Sequence, residues 1–238
     1  MSSTCVLPFW ILVGRKGILS RVWKISATHR SAATWSSAPQ SNKVVSQGSL
    51  FSTEPVLPEG FVYQRDFLTA ADEADLLRNI QHETFDTFDF QGYRAKRRMI
   101  EYGLEYDFSR RRANPTKPFP QFLLSVRGRA AEFAQIAPDE LVEGLILEYP
   151  PGAPIGWHRD APQFGIVMGI SLLNRARMRL KPYQKEGKIA SVTLEPRSIY
   201  MFRGAARWQW QHSIPAHEML RYSITFRTLR HKEERRTA

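Results

Sequence analysis

The stretch Trp157-His-Arg-Asp160, together with the distant His212, limits the folds open to this chain. His158 and Asp160 stand two apart, and on an extended chain residues i and i+2 share a face. One strand, or its end, therefore brings both to one ion, whereas a helix would favour i, i+3 or i+4 pairs. His212 follows His158 by 54 residues. It has to return on a strand folded back alongside, which a rolled antiparallel sheet provides. A His-x-Asp pair alone describes a surface ion pair equally well, and a single His an exposed or satisfied side chain. The combination points to a metal site, and by ligand type iron, zinc and manganese all stay open.

A second pattern follows. In Arg221-Tyr-Ser-Ile-Thr-Phe-Arg227, the residues Arg221, Ser223, Thr225 and Arg227 share one face of a strand. Tyr222, Ile224 and Phe226 share the other, a clean period of two with an apolar packing side and a polar side. Such a strand is about 20 Å long, and two arginines leaning toward each other leave a gap of roughly one small molecule. Guanidinium groups bind carboxylates bidentately. Taken alone, this is a solvated strand face with two exposed arginines. Beside His158, Asp160 and His212 it suggests a small dicarboxylic acid on the open face of a metal.

The pattern His158-x-Asp160, His212, Arg221-x-Ser-x-Thr-x-Arg227 resembles that of the AlkB-like Fe(II)/2-oxoglutarate dioxygenases. Tyr149-Pro-Pro-Gly-Ala153, just upstream of His158, is similar to the Asn-x-Tyr-x-x-Gly segment of that family. The resemblance covers roughly Leu57 to Arg230. It implies Fe(II) on His158, Asp160 and His212, 2-oxoglutarate held by Tyr149, Arg221, Ser223 and Arg227, with the two arginines serving its two ends, and O2 as the oxidant. It also implies hydroxylation of a C–H bond coupled to decarboxylation of 2-oxoglutarate to succinate; an N-methyl carbon so hydroxylated leaves as formaldehyde. Leu147 stands where the family often has asparagine, and Ser223 stands at another such position. The first removes one expected polar contact to 2-oxoglutarate and the second shortens another.

Cys5 is the sole cysteine, which excludes an intrachain disulfide and any cysteine-ligated zinc or iron–sulfur site. The chain carries +11, but Met1 to Thr53 holds six basic residues and no acidic one, leaving +5 for the rest. Residues 1–56 read as a basic extension or as a mitochondrial transit peptide, rich in Ser and Ala. The expected compartment is the cytoplasm in the first case and the mitochondrion in the second. The apolar run Cys5 to Val13 is too short to span a bilayer, so no membrane partner is expected. Residues 57–230 read as one catalytic domain, 231–238 as a basic tail, and the protein as a monomer.

Within the domain, Phe61 to Phe67 reads as a strand, Thr69 as the N-cap of a helix with Leu76, Leu77 and Ile80 on its apolar face, and Pro120 to Gln135 as a second helix. From Leu145 onward the texture is of short strands: Leu145–Tyr149, Gly165–Leu173, Met178–Tyr183, Ala190–Leu194, Ser198–Phe202 and Arg221–Thr228. The expected class is α+β, mainly β. Many short strands suggest a sandwich or jelly roll, and the resemblance implies a double-stranded β-helix with N-terminal helices packed outside. Phe85 to Arg112 interleaves cations with aromatics and reads as a lid over the iron. Arg97, Arg98, Tyr102 and Tyr106 are the candidate substrate contacts, with Arg110 to Arg112 as further phosphate contacts. The expected function is oxidative dealkylation of N-alkylated bases in DNA or RNA, flipped out of the stack. The same chemistry on a protein or small molecule, and a non-catalytic metal-binding module, are the alternatives.

Overall fold

The structure is a computed structural model that describes residues 57–90, 93–107 and 112–230. The expected extension 1–56, the tail 231–238, Arg110, Arg111 and the side chains of Tyr106 and Arg112 lie outside what is described. Strand β1 (Phe61–Gln64) leads to helix α1 (Ala70–Gln81), then to β2 (Asp86–Phe90), the long β3 (Tyr93–Asp107), β4 (Arg112–Pro115) and helix α2 (Gln121–Ala134). The rest is a run of strands: β5 (Leu141–Tyr149), β6 (Ile155–His158), β7 (Phe164–Leu172), β8 (Ala176–Pro182), β9 (Ala190–Leu194) and β10 (Ile199–Phe202). One turn of helix, α3 (Gly204–Trp208), precedes β11 (Trp210–Ile214) and β12 (Arg221–Leu229).

Among the described residues the strands form two antiparallel sheets. The larger runs β1-β10-β7-β12-β5-β3-β2, with β4 paired to β3, and the smaller runs β6-β11-β8-β9. This is the expected jelly roll. Alternation decides what each face of the large sheet meets. Ile224 and Phe226 of β12, Met168 and Ile170 of β7 and Ile146 of β5 are buried with Leu76, Ile80, Leu123, Val126 and Ala130 of the two helices. Their neighbours in sequence face the space between the sheets, where Val167, Tyr200 and Phe202 pack against Met178, Leu180 and Leu194 of the small sheet. The central strand β5 is thus covered on both sides, and Glu143 to Tyr149 are all buried, as expected for a strand with both faces packed.

Local signals place the helices. The Thr69 hydroxyl accepts from the Asp72 backbone N–H at 3.1 Å, and the Asp72 carboxylate accepts from the Thr69 N–H at 2.9 Å, a reciprocal capping box. Asp72 also accepts from Arg129 of α2 at 2.8 Å, which ties the two helices together. Helix α2 ends at Gln135 in the left-handed conformation, φ 59°. Among the described residues no helix is long and apolar enough to cross a membrane.

The segment expected as a lid is largely sheet. β3 pairs with β5 over Arg98 to Gly103 and with β4 over Leu104 to Asp107. The chain changes partner at Gly103, whose φ of +80° is left-handed and whose missing Cβ would sit 2.1 Å from the Val142 carbonyl oxygen. Any side chain there forces β3 off β5. Gly103→Ala is expected to destabilise the fold by about 2–4 kcal/mol, combining a backbone in a costly region with a clash against main chain. Chemical denaturation checks it: an unchanged midpoint would show that β3 does not need this glycine.

Candidate functional site

Strand pairing closes the gap in sequence between the two histidines. β11 lies antiparallel to β6, and His212 is the register partner of His158. Their rings stand 4.3 Å apart between centroids. Phe202, from the opposing sheet, stacks on His212 at 4.8 Å. Asp160 lies two residues past the end of β6, with its Oδ2 3.8 Å from His212 Nε2. The three expected residues therefore converge. Among the described residues no three His, Cys, Asp or Glu side chains are drawn into a finished metal cage; Asp160 is turned toward an arginine instead.

Each of the three is oriented by a neighbour. His158 Nδ1 lies 2.8 Å from the Gly156 carbonyl, so this nitrogen donates and Nε2 keeps its lone pair, a common arrangement for a metal-binding imidazole. Asp160 Oδ1 accepts from both Nε and Nη2 of Arg227, at 3.0 and 2.7 Å, which leaves Oδ2 on the side of His212. Burial alone would raise the Asp160 pKa. Arg227, His212 and Arg207 override it and hold the carboxylate well below its usual range. Burial pushes both histidines down, His212 to about 3 with further help from His158. Two neutral imidazoles and one carboxylate result, which is the donor chemistry a divalent iron needs.

Arg207, on α3, carried no sequence signal. Its buried guanidinium donates to the carbonyls of Asp160, Ala161, Phe164 and Gly165 at 2.8–3.3 Å. One side chain thus pins the loop that carries Asp160. Burial lowers its pKa to about 10, which leaves it a cation at neutral pH.

The two arginines of β12 face the interior as the alternation requires, but they are in opposite states. Arg227 is already paired. Besides Asp160 it donates through Nη1 to Glu143 of β5. Burial would lower its pKa, and the two carboxylates raise it instead. Asp160 and Glu143 engage three of the five N–H groups of the guanidinium, so the expected hold of Arg227 on one end of 2-oxoglutarate falls to the remaining two. Arg221 is only 1% exposed. Its Nε donates to Ser171 Oγ at 3.2 Å and its Cζ lies 5.0 Å from the centre of the Tyr149 ring. Its Nη1 is buried with no hydrogen-bond partner. A buried guanidinium nitrogen without a partner is costly, and a carboxylate would satisfy it. Tyr149 is the register partner of Arg221, and Ser223 that of Ser171; both Tyr149 and Ser223 are buried in this interior.

A cleft of about 210 Å³ opens beside His158 and Asp160. It does not reach Arg221 or His212, which lie deeper. Met99, Leu145, Leu147 and Ile155 form an apolar wall; Arg97, Glu101 and Arg159 supply charge. Leu147 is 7% exposed and packs with Leu145 and Tyr149, so the polar contact absent from this position is replaced by packing. The alternation of β3 separates the candidate substrate residues. Arg97 faces the cleft. Arg98 faces the other way, in a bidentate pair with Glu148 at 2.9 Å. Tyr102 is 3% exposed, in the core beneath the helices. A stacking role for Tyr102 and a phosphate role for Arg98 at the cleft are thereby corrected: Arg98, Ile100 and Tyr102 point away from it.

Residues 60–227 match the sequence profile of the 2OG-Fe(II) oxygenase superfamily. The chain is 28% identical over 196 residues to an Arabidopsis thaliana protein named alkylated DNA repair protein ALKBH8 homolog, covering 72% of this chain and 55% of that one. It is 37% identical over 71 residues to the Bos taurus mitochondrial alpha-ketoglutarate-dependent dioxygenase alkB homolog 7, covering 29% and 32% of the two chains. The chain thus spans about half the length of the first relative and a third of the second. Among solved structures, that of OsALKBH1 superposes with a TM-score of 0.59 at 18% identity, covering 73% of this chain and 98% of that one. The fold and the profile match agree: the chain belongs to the 2OG-Fe(II) oxygenase superfamily, a family of dioxygenases that work with Fe(II), 2-oxoglutarate and O2.

Proposed function

We propose that this chain is an oxidative dealkylase of N-alkylated bases in DNA or RNA. The observation that carries the dioxygenase part is the buried, unpartnered Arg221 Nη1, which is a carboxylate site in the same interior as His158, Asp160 and His212. In this reading His158 through Nε2, Asp160 through Oδ2 and His212 hold Fe(II). Arg221, with Tyr149 and Ser223 beside it, holds the far carboxylate of 2-oxoglutarate. Bound there, iron and 2-oxoglutarate supply the oxidising power that hydroxylates a C–H bond. The chain's own residues do the rest. Arg227 keeps Asp160 ionised and fixes which oxygen it presents. Met99, Leu145, Leu147 and Ile155 exclude water from one wall of the cleft. A nucleic-acid substrate is supported by the Arabidopsis relative's name, by a mouse relative named tRNA (carboxymethyluridine(34)-5-O)-methyltransferase ALKBH8, 26% identical over 167 residues, and by Arg97 and Arg159 on the cleft.

A second reading keeps the chemistry and moves it to a protein or small molecule. It is favoured by Arg98 and Tyr102, which turn away from the cleft and leave its wall largely apolar. A panel of methylated oligonucleotides incubated with iron, 2-oxoglutarate and ascorbate separates the two. Formaldehyde and a matching mass loss support the first reading. Succinate formation without either, on any oligonucleotide, overturns it in favour of the second.

Substitutions test the residue roles. His158→Ala is expected to abolish succinate formation, and retained turnover would rule out the metal assignment. Arg221→Met should remove 2-oxoglutarate-dependent turnover while leaving the melting temperature unchanged or higher, because an unpaired buried charge is replaced by a packed side chain. A lower melting temperature with turnover intact would make Arg221 a structural residue. Arg227→Met should behave oppositely. It strands two buried carboxylates, so a loss of about 3–5 kcal/mol is expected, read by urea denaturation of the metal-free protein.

A further inference from the structure

The four strands of the small sheet, residues 155–158, 176–182, 190–194 and 210–214, contain no Asp or Glu. Their inward side packs against the large sheet. Their outward side carries cations at every second residue of β8: Arg177, Arg179 and Lys181. None of these makes an ion pair among the described residues. Arg177 and Arg179 donate only to hydroxyls, those of Ser191 and Ser213, at 3.2 and 3.0 Å. Like charges spaced this closely repel, and nothing acidic on the sheet relieves them.

An aromatic ring holds two of these side chains, Arg179 and Lys181, in place. Trp157 of β6 lies beneath both Arg179 Cζ, 5.0 Å from its ring centre, and Lys181 Nζ, at 4.6 Å. One residue beyond β8, Tyr183 lies 3.6 Å beneath Arg159 Cζ. Cation–π contacts of this kind restrain long side chains without neutralising them, so the charges stay available and their rotamer entropy is already spent. The row from Arg177 to Tyr183 is about 20 Å long at the rise of a strand. It ends at Arg159, which is also part of the lining of the cleft beside His158 and Asp160.

We infer that this outer face is a backbone track for single-stranded nucleic acid, feeding one nucleotide into the cleft. A regular row of unneutralised cations interleaved with rings matches a linear polyanion. The cleft at the row's end takes a base only when it has left its partner, which a single strand offers without the cost of unpairing. The inference rests on the nucleic-acid reading above, and extends it from the cleft to the surface leading there.

The test is fluorescence anisotropy of the full chain with a labelled, unmodified oligothymidylate, titrated between 50 and 200 mM salt. Arg177→Gln/Lys181→Gln is expected to weaken binding about tenfold. It should also flatten the slope of log K against log salt by about 1.4, at roughly 0.7 for each single-strand phosphate left without its cation. Succinate formation without nucleic acid should stay unchanged, since neither residue lines the cleft. Arg65→Gln/Arg78→Gln, removing cations of ion pairs elsewhere on the surface, should leave the slope as it is. An unchanged slope in the first variant overturns the track, as does an equal loss in the second. A loss confined to phosphatidylserine vesicles, with oligothymidylate binding intact, also overturns it, by making the face a membrane surface. Because the probe carries no alkylated base, failure here is separate from failure of the dealkylase reading, which is scored by formaldehyde.

Discussion

Arg227 is the point at which the candidate site and the fold depend on each other. It lies on β12, flanked in the large sheet by β5 and β7. Its guanidinium reaches Glu143 across to β5 and Asp160 on the loop after β6. The two sheets therefore meet through one cation and two carboxylates, all well buried. Taking such charges out of water costs several kcal/mol each, and the arrangement is tolerable only when every member is present and hydrogen-bonded. The geometry of Asp160 is thus not left to a flexible loop. Arg227 fixes its Oδ1 and Arg207 fixes the backbone around it, so the carboxylate is oriented before any ligand arrives, as a preformed metal site requires.

Arg221 shows the other use of the same residue type. It lies six residues earlier on the same face of the same strand, and among the described residues it meets one hydroxyl, one aromatic ring and no carboxylate. Stability alone would not favour a buried guanidinium in that state. Sites that bind a ligand commonly carry such a cost in the free protein and recover it on binding. The contrast separates the roles of two arginines that sequence reading treats as a pair. One completes an internal network; the other, in the proposed reading, is completed by a ligand.

That contrast also shows what was legible in the sequence. The alternation of Arg221 to Arg227 identified a strand, its packing side and its site side, because a period of two registers both; its place between β7 and β5 comes only from the fold. Thr69 and Asp72 announced the first helix through local hydrogen bonds. The adjacency of His158 and His212 was arguable only from ligand chemistry, since pairing across 54 residues leaves no local trace. Glu143 and Arg207 were missed for a related reason. Each is a charged residue within a segment that otherwise reads as core or turn, and its partner is remote in sequence. The reading of Phe85 to Arg112 placed this segment beside the site, where Arg97, Met99 and Glu101 line the cleft, but it could not assign faces. Cations occur on both faces of β3, as Arg97 and Arg98 show, so composition could not say which of them see the cleft.

Once β3 is read as a strand, the substrate side of the site changes character. Arg97, Met99 and Glu101 share the cleft face, and Arg98, Ile100 and Tyr102 share the face toward the helices and Glu148. Met99 and the apolar wall of Leu145, Leu147 and Ile155 then lie where a substrate would press, with charge confined to the cleft's remaining lining. An apolar wall grips a planar or aliphatic group by excluding water and offers little hydrogen bonding to tell one base from another. The charged residues of the lining, Arg97, Glu101, Glu143, Arg159, Asp160 and Arg227, stand against that wall. Affinity has to come from a larger surface than a cleft of this size provides, and Arg159, which lines the cleft and lies over Tyr183, joins it to the outer face of the small sheet, whose strands carry no acidic residue.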